Sequence, residues 1–152
     1  MLRKMTLWIV GLLAFSTAAW AVMPPSTYLA ARQSADHHVQ IAVTDVDTPW
    51  RTPGVCEIEG VVSKVFRSNE DRLKPSKEVE FEVDCLKPGD EPGVGGTLWG
   101  GVSELKNARF IEVYLNGDGP TEFYVAQWQY VVIPAPTNVP VCPPTKPGLT
   151  CW

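Results

Sequence analysis

Two stretches of the chain alternate strictly along their length, and each carries a cysteine on its apolar side. Cys56, Ile58, Gly60, Val62 and Phe66 share one face of the first. In the second, Val79, Phe81, Val83 and Cys85 share one face, while Glu78, Glu80, Glu82 and Asp84 share the other. A period of two is a half-buried strand with its apolar side inward, and a helix cannot hold it. Asn69-Glu70-Asp71-Arg72 lies between the two as a polar turn. Pairing them antiparallel about that turn sets Val62 opposite Val79, Gly60 opposite Phe81, Ile58 opposite Val83 and Cys56 opposite Cys85. The outer face of that register opposes Glu59 to Glu82 and Glu57 to Asp84, with Glu80 diagonal to Glu59. A chain written this way must build a sheet.

The flanking segments supply the rest of a small β domain. Pro24-Pro25-Ser26 starts a helix with Ser26 as N-cap, and Thr27 to Asp36 is rich in helix-favouring Ala, Leu, Arg and Gln. Val39 to Val46 reads as a strand, and Asp47 to Gly54 as a loop or a bulge in a longer bent strand. Leu86 to Gly101, dense in Gly and Pro, is a connection, with one helical turn over Val102 to Lys106. Phe110 to Leu115 and Phe123 to Ile133 are strands, joined by Asn116-Gly117-Asp118-Gly119 as a tight hairpin turn. Beyond Ile133 the chain is Pro-rich, with a Cys142–Cys151 clasp as the one feature to order it. The expected division is a signal peptide over 1–21, a β-barrel domain over 22–133 and a C-terminal tail over 134–152.

The order of helix, long bent strand, Cys-bearing hairpin and Gly-rich loop is followed by Glu112-Val113-Tyr114-Leu115-Asn116 and Tyr124-Val125-Ala126-Gln127-Trp128-Gln129. This order resembles secreted OB-fold proteins. It is most similar to netrin- and TIMP-like (NTR-like) domains and to uncharacterised bacterial exported relatives, over Thr27 to Ile133. The resemblance implies a mainly β fold, a small OB-like five-stranded Greek-key barrel with a short N-terminal helix and a Pro-rich, disulfide-clasped tail. TIMPs begin with a mature N-terminal Cys that chelates the protease zinc. Here Val22-Met23 follow the expected cleavage point, so metalloprotease inhibition does not carry over.

Arg3 and Lys4, the apolar run Thr6 to Phe15, and Ala19-Trp20-Ala21 follow the three-part grammar of a secretory signal, cut after Ala21. The apolar run is shorter than the roughly 20 residues a membrane span needs. The expected localisation is secreted or periplasmic, with no membrane association after cleavage. Cys56, Cys85, Cys142 and Cys151 are an even set in an exported chain, and no C-x-x-C pair offers metal spacing. The expected pairing is Cys56–Cys85, buried, and Cys142–Cys151, near the surface. With 13 Lys+Arg against 17 Asp+Glu the formal charge is -4, which argues against nucleic acid as a partner.

Few residues carry recognisable chemistry. Asp36-His37-His38 holds the two histidines. On a strand they point to opposite faces and on a helix they diverge by about 100°, so the reading is a solvated helix end and not a metal site. Gly93 to Gly101 matches no nucleotide-binding loop, and Trp99 within it either plugs an open end of the barrel or contacts a sugar, peptide or protein. The opposed carboxylates Glu57, Glu59, Glu80, Glu82 and Asp84 repel one another. Such a face is hydrated, holds a cation such as weakly bound Ca²⁺, meets a basic partner, or supplies an acid/base pair. No cofactor is expected. The reading favoured by the residues is a non-enzymatic module binding protein, peptide or glycan through barrel loops and strand faces. The alternative is a small secreted hydrolase using two carboxylates of the acidic face.

Overall fold

Strand β2 (Gly54–Ser68) is 15 residues long and bends enough to pair along both edges. Its later part runs antiparallel to β1 (His37–Asp47), and its earlier part runs antiparallel to β3 (Glu78–Leu86). β1 yields to this curvature through irregularities at His38/Val39, Gln40/Ile41 and Val43/Asp45, each a place where a strand bends and twists. Gly60 sits where β1 presses close against β2. A Cβ there would meet Ile41 Cγ2 and lie 2.6 Å from the Ala42 carbonyl oxygen, so only glycine fits.

β5 (Phe110–Asn116) pairs with the other edge of β1, β6 (Glu122–Ile133) pairs with β5, and β6 returns parallel to β3. The circuit β1-β2-β3-β6-β5 therefore closes into a five-stranded mixed barrel, with the two-residue β4 (Gly100–Gly101) added on β3. This is the OB-like Greek-key arrangement expected from the order of elements. Helix α1 (Pro25–Ser34) precedes the barrel, and the short α2 (Val102–Asn107) lies between β4 and β5. The computed structural model describes residues 23–93 and 95–146. The expected signal peptide lies outside the described residues.

The barrel interior holds Val39, Ile41, Ile58, Val62, Phe81, Val83, Ile111, Val113, Leu115, Phe123 and Tyr130, all buried. A second, smaller cluster of Ala35, Tyr114, Ala126, Val131, Ile133 and Cys142 forms separately from it. Cys56 and Cys85 are bonded, with Cα atoms 5.8 Å apart.

Several expectations need correction. The β2–β3 register is two residues out of step with the one read from apolar matching: Cys56 faces Val83, Gly54 faces Cys85, and Glu57 and Glu59 face Glu82 and Glu80. The reason is that no tight turn joins the ladder. Pairing ends at Val61–Glu78, and β2 continues alone along β1 to Ser68 before a 3-10 turn at Asn69–Asp71. A slip of two keeps each side chain on its face, so the disulfide survives as a diagonal bridge that strand coiling brings into range.

Helix α1 starts one residue before Ser26, and the residue at its N-cap is Pro24, with no side-chain cap. The loop after Asn116 is not a two-residue turn. Gly117 alone has positive φ, at 116°, and its N–H donates to Asp36 Oδ2, while Asn116 Oδ1 accepts from the Asp36 N–H.

The histidines are not a solvated helix end. They open β1, and both are buried. His37 bridges Ser68 Oγ (3.2 Å) and the Gly117 carbonyl (3.1 Å), and its ring packs perpendicular to that of Phe123. His38 stacks on Tyr114 on the opposite side, as strand alternation requires.

The tail is also held differently from expectation. Glu112 on β5 is 1% exposed and accepts from His38 Nε2, Gln40 Nε2 and the N–H groups of Val141 and Cys142. Tyr114 Oη donates to the Cys142 carbonyl at 2.6 Å, and Thr137 exchanges two hydrogen bonds with Gln40. Arg32 of α1, fully buried, donates to Gln129 Oε1 and to the Lys146 carbonyl. Cys142 is disulfide-bonded and buried, not near the surface. Its expected partner, Cys151, lies outside the described residues. The tail is strapped across the outer face of β1 and β5 by a carboxylate with four donors.

Candidate functional site

The outer face of β2 and β3 is the acidic one the alternation called for. Glu59 and Glu82 are exposed, and Glu57, Glu80 and Asp84 are half-buried. Glu57 stands directly across from Glu82, and Glu59 across from Glu80. Carboxylate oxygens of Glu57, Glu59 and Glu80 come within 4.8 Å of one another. Glu80 pushes the Glu57 carboxyl above its ordinary range, with smaller contributions from partial burial and from Asp47, Glu59 and Glu82. Such a trio offers about half the oxygens a Ca²⁺ ion takes, the others being available from water.

β6 decides what lies beside that face. It pairs with β3 over three positions, Glu80–Glu122, Phe81–Phe123 and Glu82–Tyr124, and then diverges. The cause is an irregularity in β6. Between the pairs Leu115–Val125 and Val113–Tyr130, one residue of β5 stands against Ala126, Gln127, Trp128 and Gln129. Gln127 and Trp128 are left-handed, at φ 44° and 57°, a conformation that costs about 1 kcal/mol or more in a residue with a side chain. The bulge turns Trp128 toward β3, where its indole N–H donates to Asp84 Oδ2 at 2.7 Å. Bulges of this kind re-aim side chains next to sites.

The result is a groove of about 590 Å³ between β3 and β6. Glu80, Glu82 and Asp84 line one wall, Glu122, Tyr124 and Trp128 the other, and Val55 is also in contact with it. Tyr124 is 72% exposed although it is aromatic and sits within a strand.

The structure thus brings Glu80, Glu82 and Asp84 into one groove and leaves Glu57 and Glu59 on the adjoining strip. Trp99 does not join them. It is half-buried, its ring 3.9 Å from the place a Cβ on Gly93 would take. Tyr124 and Trp128 were missed. The available signal was a slip in phase, since apolar residues occupy 123 and 125, then 126, 128 and 130. Trp50 was missed as well. It is 80% exposed on the β1–β2 connection, with the Arg51 guanidinium 4.2 Å from its ring centre. No protein-family model matches the chain, and no curated protein is significantly similar to it in sequence.

Proposed function

We propose that the chain is an exported, non-enzymatic binding module, kin to the netrin- and TIMP-like barrels, that takes a protein, peptide or glycan in the β3–β6 groove. The carrying observation is Tyr124, an aromatic left 72% exposed on a barrel strand beside a groove that a strained bulge holds open. Large aromatics exposed at the edge of a cleft are contact residues more often than accidents. Export is supported by the basic head, apolar run and Ala19-Trp20-Ala21 at the N-terminus, together with the Cys56–Cys85 bond. Among the described residues no helix is long and apolar enough to cross a membrane.

A photo-activatable phenylalanine in place of Tyr124 tests this in the exported fraction of the producing cell. It should cross-link a specific partner, whereas the same group at Val139, exposed on the tail, should not. Equal labelling from both positions, or none from Tyr124, overturns the reading.

A second reading, a small hydrolase drawing an acid/base pair from Glu57, Glu59, Glu80, Glu82 and Asp84, is favoured by the raised Glu57 carboxyl. That rise comes first from the neighbouring charge of Glu80 and only second from burial. A general acid kept neutral for catalysis is ordinarily walled by apolar groups, and Glu57 is not in the groove. The binding reading is therefore preferred. Ca²⁺ held at the Glu57–Glu59–Glu80 trio is compatible with either.

A further inference from the structure

We propose that the β3–β6 groove receives an extended peptide segment bearing lysine or arginine at alternate positions. The inference rests on the groove being the binding surface and adds the chemistry of its occupant.

Charge is the first argument. Glu80, Glu82, Asp84 and Glu122 line the groove, and none of its lining residues is a lysine or arginine. Among the described residues the ion pairs are His38–Glu112 and Arg72–Glu70, both elsewhere. Glu57 and Glu59 extend the same field from the next strand. Carboxylates held this close repel one another, and a cation that enters relieves that repulsion as it binds.

Spacing is the second. Alternate residues of a strand stand about 6.8 Å apart, at roughly 3.4 Å per residue. Glu80, Glu82 and Asp84 therefore repeat along β3 at the interval at which alternate side chains of an extended peptide repeat. A free divalent ion has no use for that repeat.

The aromatic wall is the third. Tyr124 presents an exposed ring, and the Trp128 indole is held in orientation by its bond to Asp84. Ammonium and guanidinium groups bind such ring faces as well as carboxylates. Val55, 45% exposed, offers an apolar contact for the residues between the cations. A neutral glycan would stack on the rings and leave the carboxylates uncompensated.

The test is chemical-shift mapping on the full ¹⁵N-labelled chain. The probes are an alternating lysine–alanine decapeptide, its glutamate–alanine counterpart, and chitohexaose as a neutral glycan. With the lysine peptide, shifts should concentrate at 80–84 and 122–128. Affinity should weaken about tenfold between about 20 and about 500 mM salt. The double variant Glu80→Gln/Glu82→Gln should lose about tenfold and Tyr124→Ala about fivefold, with melting midpoints no lower than the parent's. Glu91→Gln, removing an exposed loop carboxylate outside the groove, should change affinity by less than about twofold.

If Glu91→Gln weakens binding as much as the groove variants, or the shifts scatter over all acidic residues, attraction is nonspecific and the proposal falls. If chitohexaose moves the groove signals and the lysine peptide does not, the cationic occupant is wrong while the groove reading stands. Failure of cross-linking at Tyr124 is the separate result that removes the groove reading itself.

Discussion

Glu112 shows how much one side chain can organise. Burial pushes its carboxyl up, but hydrogen bonds from His38, Gln40 and the Val141 and Cys142 amides outweigh that and hold it below its ordinary value of 4.5. A carboxylate whose folded pKa is depressed adds stability above its unfolded pKa and loses it as the pH falls through the folded value. The strap on the tail should therefore be fully held at neutral pH and loosen on acidification below about pH 4.5. Amide exchange of residues 137–142, followed across that range, measures it. Glu112→Gln should cost about 3 kcal/mol in urea unfolding at pH 7, since it leaves donors facing a neutral group. Gly60→Ala should cost about 2 kcal/mol, because the added Cβ meets backbone at the Ala42 carbonyl as well as Ile41. A melting midpoint unchanged in Gly60→Ala would mean that β1 and β2 can part there.

The β2–β3 pair carries two further expectations. Glu57 and Glu82 face each other, so Glu82→Lys replaces a like-charge pair by an opposite one. Its stability should be equal to that of the parent or higher by less than about 1 kcal/mol. A loss above about 2 kcal/mol would instead mark Glu82 as liganded. Calorimetry with and without millimolar Ca²⁺ addresses the Glu57–Glu59–Glu80 trio, and an unmoved midpoint argues against a cation there. The Cys56–Cys85 bridge links residues 29 apart in sequence. Replacing both by serine should cost about 2–4 kcal/mol. Non-reducing peptide mapping should join Cys56 to Cys85 and Cys142 to Cys151, and a Cys85–Cys142 peptide would contradict the fold.

Taken together, the barrel is covered unevenly. The outer face of β1 and β5 lies beneath the tail, with every residue from Ile111 to Leu115 buried. The outer face of β2 and β3 and the groove beside it stay open. Open surface is left on the side the strap does not reach. Truncation after Ile133 should uncover His38, Gln40 and Glu112 and destabilise the barrel by about 3 kcal/mol or more, without altering the groove. Loss of lysine-peptide binding in a truncated chain that still melts cooperatively would show that the two faces are coupled.

Local chemistry alone made the barrel strands, the single turn at α2, the acidic face and the Cys56–Cys85 bond legible, because alternation assigns each side chain to a face whatever the partner. A register slip of two leaves that assignment intact, which is why the disulfide pairing held although the opposed residues did not. What pattern could not reach is set by contacts distant in sequence. His38 read as part of a solvated helix end, and Gln40 and Glu112 carried no role in the pattern; all three are buried because a tail near residue 140 folds back over them. Tyr124 and Trp128 read as one continuous strand. They became a wall of the groove because β6 must match β5 on one edge and β3 on the other, and a bulge is how a strand satisfies two neighbours that diverge.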